Sequence, residues 1–148
     1  MTQQILVPID GSENARKALE LACLIQRASG AKLHLLHVPE PPPATDSLGA
    51  RLGASALDYT STKGREHGEQ LLREARLSVG DEVGDVAYLV VEGPPARVIV
   101  EQADRLGVDT IIMGSRGLSD LKGLLVGSVS HKVSHVASCP VITLHEPD

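Results

Sequence analysis

The residues best suited to chemistry in this 148-residue chain are Gly114-Ser115-Arg116-Gly117, then nine residues, then Gly127-Ser128-Val129-Ser130, and the chemistry they suit is anion binding. A glycine turn leaves an apolar run, and a small, hydroxyl-rich segment opens the helix that follows. Glycine takes positive φ and lets a ligand reach the backbone, while a helix start offers unpaired N–H groups and a partial positive charge. The same residues also suit plain structure, with Gly114 and Gly117 shaping a strand-to-loop turn and Gly127-Ser128 capping a helix. Two common phosphate patterns are absent. Gly123-Leu124-Leu125-Val126-Gly127-Ser128 lacks the spacing and the lysine of GxxxxGK[ST], and only Gly11 stands where GxGxxG should follow the first strand.

Other groups compete for attention. Asp10, in Asp10-Gly11-Ser12, could hold Mg²⁺ through water beside a phosphate chain or cap the following helix. His131 and His135 stand four apart on a helical pattern, but Lys132 sits where H-E-x-x-H needs its glutamate, so a surface or dimer-facing pair is expected. His34 and His37 lie on a strand without cysteine partners, and His37 reads as a polar tip near the crevice mouth. Lys122 could reach a phosphate or simply be solvated. Cys23 and Cys139 lack CxxC spacing and read as two reduced, packed thiols.

These residues need elements to hold them. Gln4 to Ile9 is a short apolar run, read as a buried strand that ends in Asp10-Gly11-Ser12, and Ser12 is the N-cap of the next helix. Ala15, Leu19, Ala22, Cys23 and Gln26 fall at helical spacing, and Gly30 stops them. Ala31 to Val38 is the second strand. The proline-rich stretch after it, residues 39–55, forms a long crossover. Helical spacing resumes from Tyr59 to Val79, and Val86 to Val91 is the third strand. A helix with Pro94-Pro95 in its first turn runs to Leu106, Asp109 to Met113 is the fourth strand, Gly127 to Ala137 the last helix and Pro140 to Leu144 the last strand.

Alternating strands and helices with continuous apolar strands argue for a single-domain α/β fold over 1–148, a parallel sheet with helices on both faces. Ligands bind such doubly wound sheets at the carboxyl ends, where the winding reverses. In the strand order 3-2-1-4-5, strands 1 and 4 adjoin there, so Asp10-Gly11-Ser12 and Gly114-Ser115-Arg116-Gly117 would face one crevice.

Composition narrows the functions. The chain is 42% hydrophobic with a net charge of −5 and no block of Lys or Arg, which argues against nucleic acid as a partner. No run approaches the roughly 18 apolar residues of a membrane span, and Met1-Thr2-Gln3-Gln4 has no basic leader, so no membrane partner and a cytoplasmic location are expected. Phe and Trp are absent and Tyr59 and Tyr88 are the two tyrosines, so a bound base must rely on backbone groups and aliphatic walls.

Val7-Pro8-Ile9-Asp10-Gly11-Ser12, the pattern G-x2-G-x9-G-[ST] and the ending Ala137-Ser138-Cys139-Pro140-Val141 together resemble the universal stress protein family over nearly the whole chain. The resemblance implies a five-stranded parallel sheet of order 3-2-1-4-5, a homodimer and ATP binding, which in the family accompanies the full glycine motif. It implies that Pro8, Ile9 and Asp10 line the nucleoside side and that Val38 meets adenine through its backbone. Met113 and Gly114 would close the crevice, Arg116 and Gly117 would approach the ribose and phosphates, and Gly127, Ser128, Val129 and Ser130 would hold the β- and γ-phosphates. Asp10 would be the protein's contact to nucleotide-bound Mg²⁺. No hydrolytic set is identifiable, Arg116 being the one candidate, so a stress-response signalling module with little or no turnover is expected. The alternatives are a slow ATP hydrolase or phosphoryl or adenylyl transferase with Asp10 and Ser128 near the chemistry, and an interaction module with a vestigial site. In the dimer, the last strand would pair across its edge.

Overall fold

The computed structural model describes residues 3–39, 54–80, 84–115 and 127–145. Strand β1 (Gln4–Pro8) leads through helix α1 (Glu13–Ser29) to β2 (Lys32–His37). Helix α2 (Ala54–Ser78) precedes β3 (Val86–Val90), α3 (Pro95–Leu106) precedes β4 (Thr110–Gly114), and α4 (Ser128–Val136) precedes β5 (Val141–Leu144). The strands form one parallel sheet in the order β3-β2-β1-β4-β5. The expected doubly wound architecture and strand order are therefore observed.

The period of two along each strand divides the core into two layers. Ile5 and Val7 of β1 and Leu33 and Leu35 of β2 face α1 and α2, packing on Ala15, Leu19, Cys23 and Leu72. The alternate residues Leu6, Leu36, Ile111 and Met113 face α3 and α4 through Val98, Ile99, Ala103 and Val133. Burial of each such Leu or Ile contributes about 1.5–3 kcal/mol. Among the described residues no Phe, Tyr or Trp joins either layer, and close packing there rests mainly on aliphatic side chains.

Local signals set the helix limits. Ser12 Oγ accepts the N–H of Ala15 at 3.2 Å, and Gly30 ends α1 at φ 73°, where its N–H reaches Gln26 O. Boundaries moved in places. β2 stops at His37, one residue before Val38, and β4 runs on to Gly114. α2 begins at Ala54, ahead of Tyr59, because small and polar residues carry no apolar periodicity to mark a helix start. Residues 40–53 of the expected crossover lie outside the described residues. Among the described residues, no helix is long and apolar enough to cross a membrane.

Candidate functional site

β1 and β4 are neighbours, and their carboxyl ends open on a cavity of about 620 Å³. That volume lies within the ~300–1,000 Å³ of small-molecule sites. Among the residues expected in the site, Pro8, Ile9, Asp10, Val38, Met113, Gly114, Val129 and Ser130 line it. Gly127 and Ser128 adjoin it in sequence at the start of α4 without appearing in its wall. Arg116, Gly117 and Lys122 lie outside the described residues.

The turn after β1 is built by its own side chains. Asp10 Oδ1 accepts the Ser12 N–H at 2.8 Å, Gly11 takes φ 88°, and Ser12 then caps α1. Capping therefore belongs to Ser12, while the half-buried Asp10 carboxylate shapes the turn at the cavity wall. Across the crevice, Gly114 lines the cavity and also has a packing task. A Cβ there would lie 2.7 Å from Asn14 Cβ and 2.9 Å from the Asn14 carbonyl carbon, so its bareness lets the first turn of α1 close on β4.

The start of α4 is fastened at one point. Ser115 O accepts the Gly127 N–H at 2.5 Å and the Ser130 hydroxyl at 2.6 Å. The first intrahelical bond runs from His131 N–H to Gly127 O at 3.0 Å, and no side chain caps this end. The N–H groups of Ser128, Val129 and Ser130 consequently have no acceptor among the described residues. They form a compact donor set with the positive end of the helix behind it. The Ser130 hydroxyl is committed to a carbonyl, so this residue has its backbone N–H left to donate. Among the described residues, neither Lys nor Arg lines the cavity.

On the opposite side, the N–H and C=O of Val38 also lack partners among the described residues. Around this peptide the walls are aliphatic, with Leu36, Leu71, Ile99 and Met113, as the shortage of aromatic residues required. Gly64 and His67 of α2 complete the wall and were missed from sequence. Their spacing of three puts them on one helix face, but nothing in the pattern says which strand end that face meets.

The other histidines take different places. His37 is buried at 9% exposure, with Nδ1 2.8 Å from Ile9 O, so it is a packed, bonded ring in the cavity wall and not a projecting tip. His131 and His135 are exposed and meet edge to face with centroids 4.4 Å apart. No cluster of three metal-ligating side chains occurs among the described residues. His34 lies away from the cavity with Nε2 2.9 Å from Gln4 Oε1, and burial pushes its pKa down. Cys23 and Cys139 are free, and burial raises both thiols.

Residues 1–145 match the family model described as the universal stress protein family. The chain belongs to that family. Universal stress protein YxiE of Bacillus subtilis is 34% identical over 145 residues, an alignment covering 96% of this chain and 98% of that protein. Among solved structures, the universal stress protein MJ0577 of Methanocaldococcus jannaschii superposes with a TM-score of 0.83 at 28% identity, covering 100% of this chain and 99% of the other. A universal stress protein solved in complex with cAMP superposes with a TM-score of 0.63 at 28% identity, covering 97% of each chain.

Proposed function

We propose that this universal stress protein binds ATP in the crevice between β1 and β4 and acts as a cytosolic, dimeric stress-response module whose signal is occupancy. The observation that carries this reading is that two sets of backbone groups without partners among the described residues, the first turn of α4 and the N–H and C=O of Val38, border one cavity of about 620 Å³. Helix-start N–H groups suit phosphate oxygens, and a peptide with both groups free suits the edge of a base. The cAMP complex of a relative supports an adenine nucleotide as the ligand class.

In this reading Pro8, Ile9 and Val38 hold the nucleoside, Met113 and Gly114 close the crevice, and Ser128, Val129 and Ser130 present N–H groups to the β- and γ-phosphates, with Gly127 anchoring the turn through its own N–H to Ser115 O. Ser130 positions that turn through Ser115. Arg116 and Gly117 are assigned to the ribose and phosphates by the family motif alone. Asp10 is the single acidic group among the described residues of the cavity wall, which fits Mg²⁺ held mainly by phosphates and water and not by a protein cage. Mg²⁺ would there offset the phosphate charge. With Asp10 engaged in its turn and no lysine or arginine among the described lining residues, the site favours retention over rapid hydrolysis. A dimer through β5 is supported by that strand's edge position and by Ile142 and Val136, 38% and 68% exposed.

Purified protein is expected to release adenine nucleotide on denaturation. Nucleotide-free protein at about a hundred times the ATP Kd should gain about 2.7 kcal/mol of stability. Absence of both co-purifying nucleotide and any Tm shift at millimolar ATP refutes the reading. Sedimentation at micromolar concentration tests the dimer, and a monomer removes that role from β5.

A further inference from the structure

The ladder between β1 and β2 ends in an unusual way. Its bonds alternate regularly from Lys32 N–H to Gln3 O at 2.8 Å up to Ile9 N–H to Leu36 O at 2.7 Å. In a parallel pair the next rung would run from Val38 N–H to Ile9 O. That rung is missing. The Ile9 carbonyl is instead met by His37 Nδ1 at 2.8 Å, and the N–H and C=O of Val38 have no partner among the described residues. A carbonyl can only accept, so His37 carries its proton on Nδ1. The ring is held from behind by α2, where a Cβ on Gly68 would lie 2.9 Å from His37 Cδ2 and 3.0 Å from Val90 Cγ1. On its far side, β2 continues one step further, with Val91 N–H bonded to His37 O at 3.1 Å. The ladder is therefore cut short on the β1 side alone, at the edge of the cavity that Val38 lines.

We propose that His37 is a positioning residue: its imidazole takes the Ile9 carbonyl in place of the Val38 N–H and so frees the Val38 peptide to read the donor–acceptor edge of an aminopurine. This rests on the nucleotide reading above. The Val38 C=O would accept from the 6-amino group and its N–H would donate to the adjacent ring nitrogen. A chain with an ordinary aliphatic residue at position 37 would complete the rung, and the base would lose its donor.

Two measurements test this on the whole chain. In amide hydrogen exchange on the nucleotide-free protein, Val38 should exchange at least tenfold faster than Ile9 and Val91, and His37→Val should protect it. Slow exchange of Val38 in the unaltered protein, or no change in His37→Val, overturns the proposal. The second compares ATP with 1-deaza-ATP, in which a C–H replaces the ring nitrogen that would accept from the Val38 N–H. The unaltered protein should prefer ATP by about 2- to 12-fold, the range of one net hydrogen bond. His37→Val should lose that preference, and His37→Asn, which keeps an N–H donor near the place of Nδ1, should retain it. Equal weakening of both ligands in His37→Val, with the ratio kept, shows a merely structural role and overturns the proposal. If the unaltered protein binds neither nucleotide, the proposed function falls, while the Val38 exchange rate still decides whether the imidazole replaces the rung.

Discussion

Gly114→Ala should be costly for a reason unrelated to backbone conformation. An added Cβ would meet Asn14 Cβ at 2.7 Å, the Asn14 carbonyl carbon at 2.9 Å and the Ala15 nitrogen at 3.1 Å. Two of the three are backbone atoms of the first turn of α1, which cannot rotate out of the way as a flexible side-chain end can. Overpacking of a close-packed interior costs about 1–3 kcal/mol, and backbone contacts this short place the change in the upper part of that range, about 2–3 kcal/mol. For a chain near this size each kcal/mol moves Tm by about 2–4 °C, giving a fall of about 4–12 °C. The control is Gly30→Ala, where nothing lies within 4 Å and the cost is that of a left-handed residue at φ 73°, about 1–2 kcal/mol. Thermal unfolding followed by far-UV circular dichroism suits a chain with no Trp. A Gly114→Ala loss no larger than that of Gly30→Ala refutes the packing account. Because the displaced turn also carries Ser12, the variant should bind ATP more weakly as well.

Gln26→Leu removes an amide, 5% exposed, that donates to Ala31 O at 3.0 Å and Asp85 O at 2.9 Å and accepts from Gly84 N–H at 3.0 Å. The expected loss is about 2–3 kcal/mol in urea unfolding, with ATP affinity unchanged. Ser130→Ala deletes the 2.6 Å bond to Ser115 O, which should cost about 0.5–1.5 kcal/mol and, by loosening the start of α4, weaken ATP binding in a calorimetric titration. His34 has its pKa lowered from 6.5 by burial, and its Nδ1 is buried without a partner, so a proton added there is disfavoured in the folded state. The unfolded chain then binds more protons as pH falls below about 6.5, and stability drops in that direction. Urea midpoints at pH 7.5 and 5.5 should converge in His34→Gln relative to the unaltered protein, and an equal pH dependence in both would remove His34 as its source.

The strand order was readable because the strands are short, mostly apolar runs punctuated by Gly or Pro, and right-handed crossovers leave few arrangements. Asp10-Gly11-Ser12 was visible for the same reason, since turn and cap chemistry is local. The α2 wall was not visible. Gly64 and His67 reach the cavity only through tertiary docking, and the polar surface of α2 carries no signal of where it lands. The roles of two residues also depend on long-range contacts. Gly114 lines the cavity but is also required bare by Asn14, and the Ser130 hydroxyl, unlike its N–H, is spent on Ser115 O. Val38 lies one residue beyond β2 because His37 captures Ile9 O, an exchange between side chain and backbone that periodicity does not encode.

The central claim is tested most directly by titrating nucleotide-free, ¹⁵N-labelled protein with magnesium ATP and following its amide resonances. Saturable shifts concentrated at Asp10, Val38, Ser128 and Val129 are predicted. No saturable change, or changes confined to residues away from the crevice such as those of β5, would contradict it.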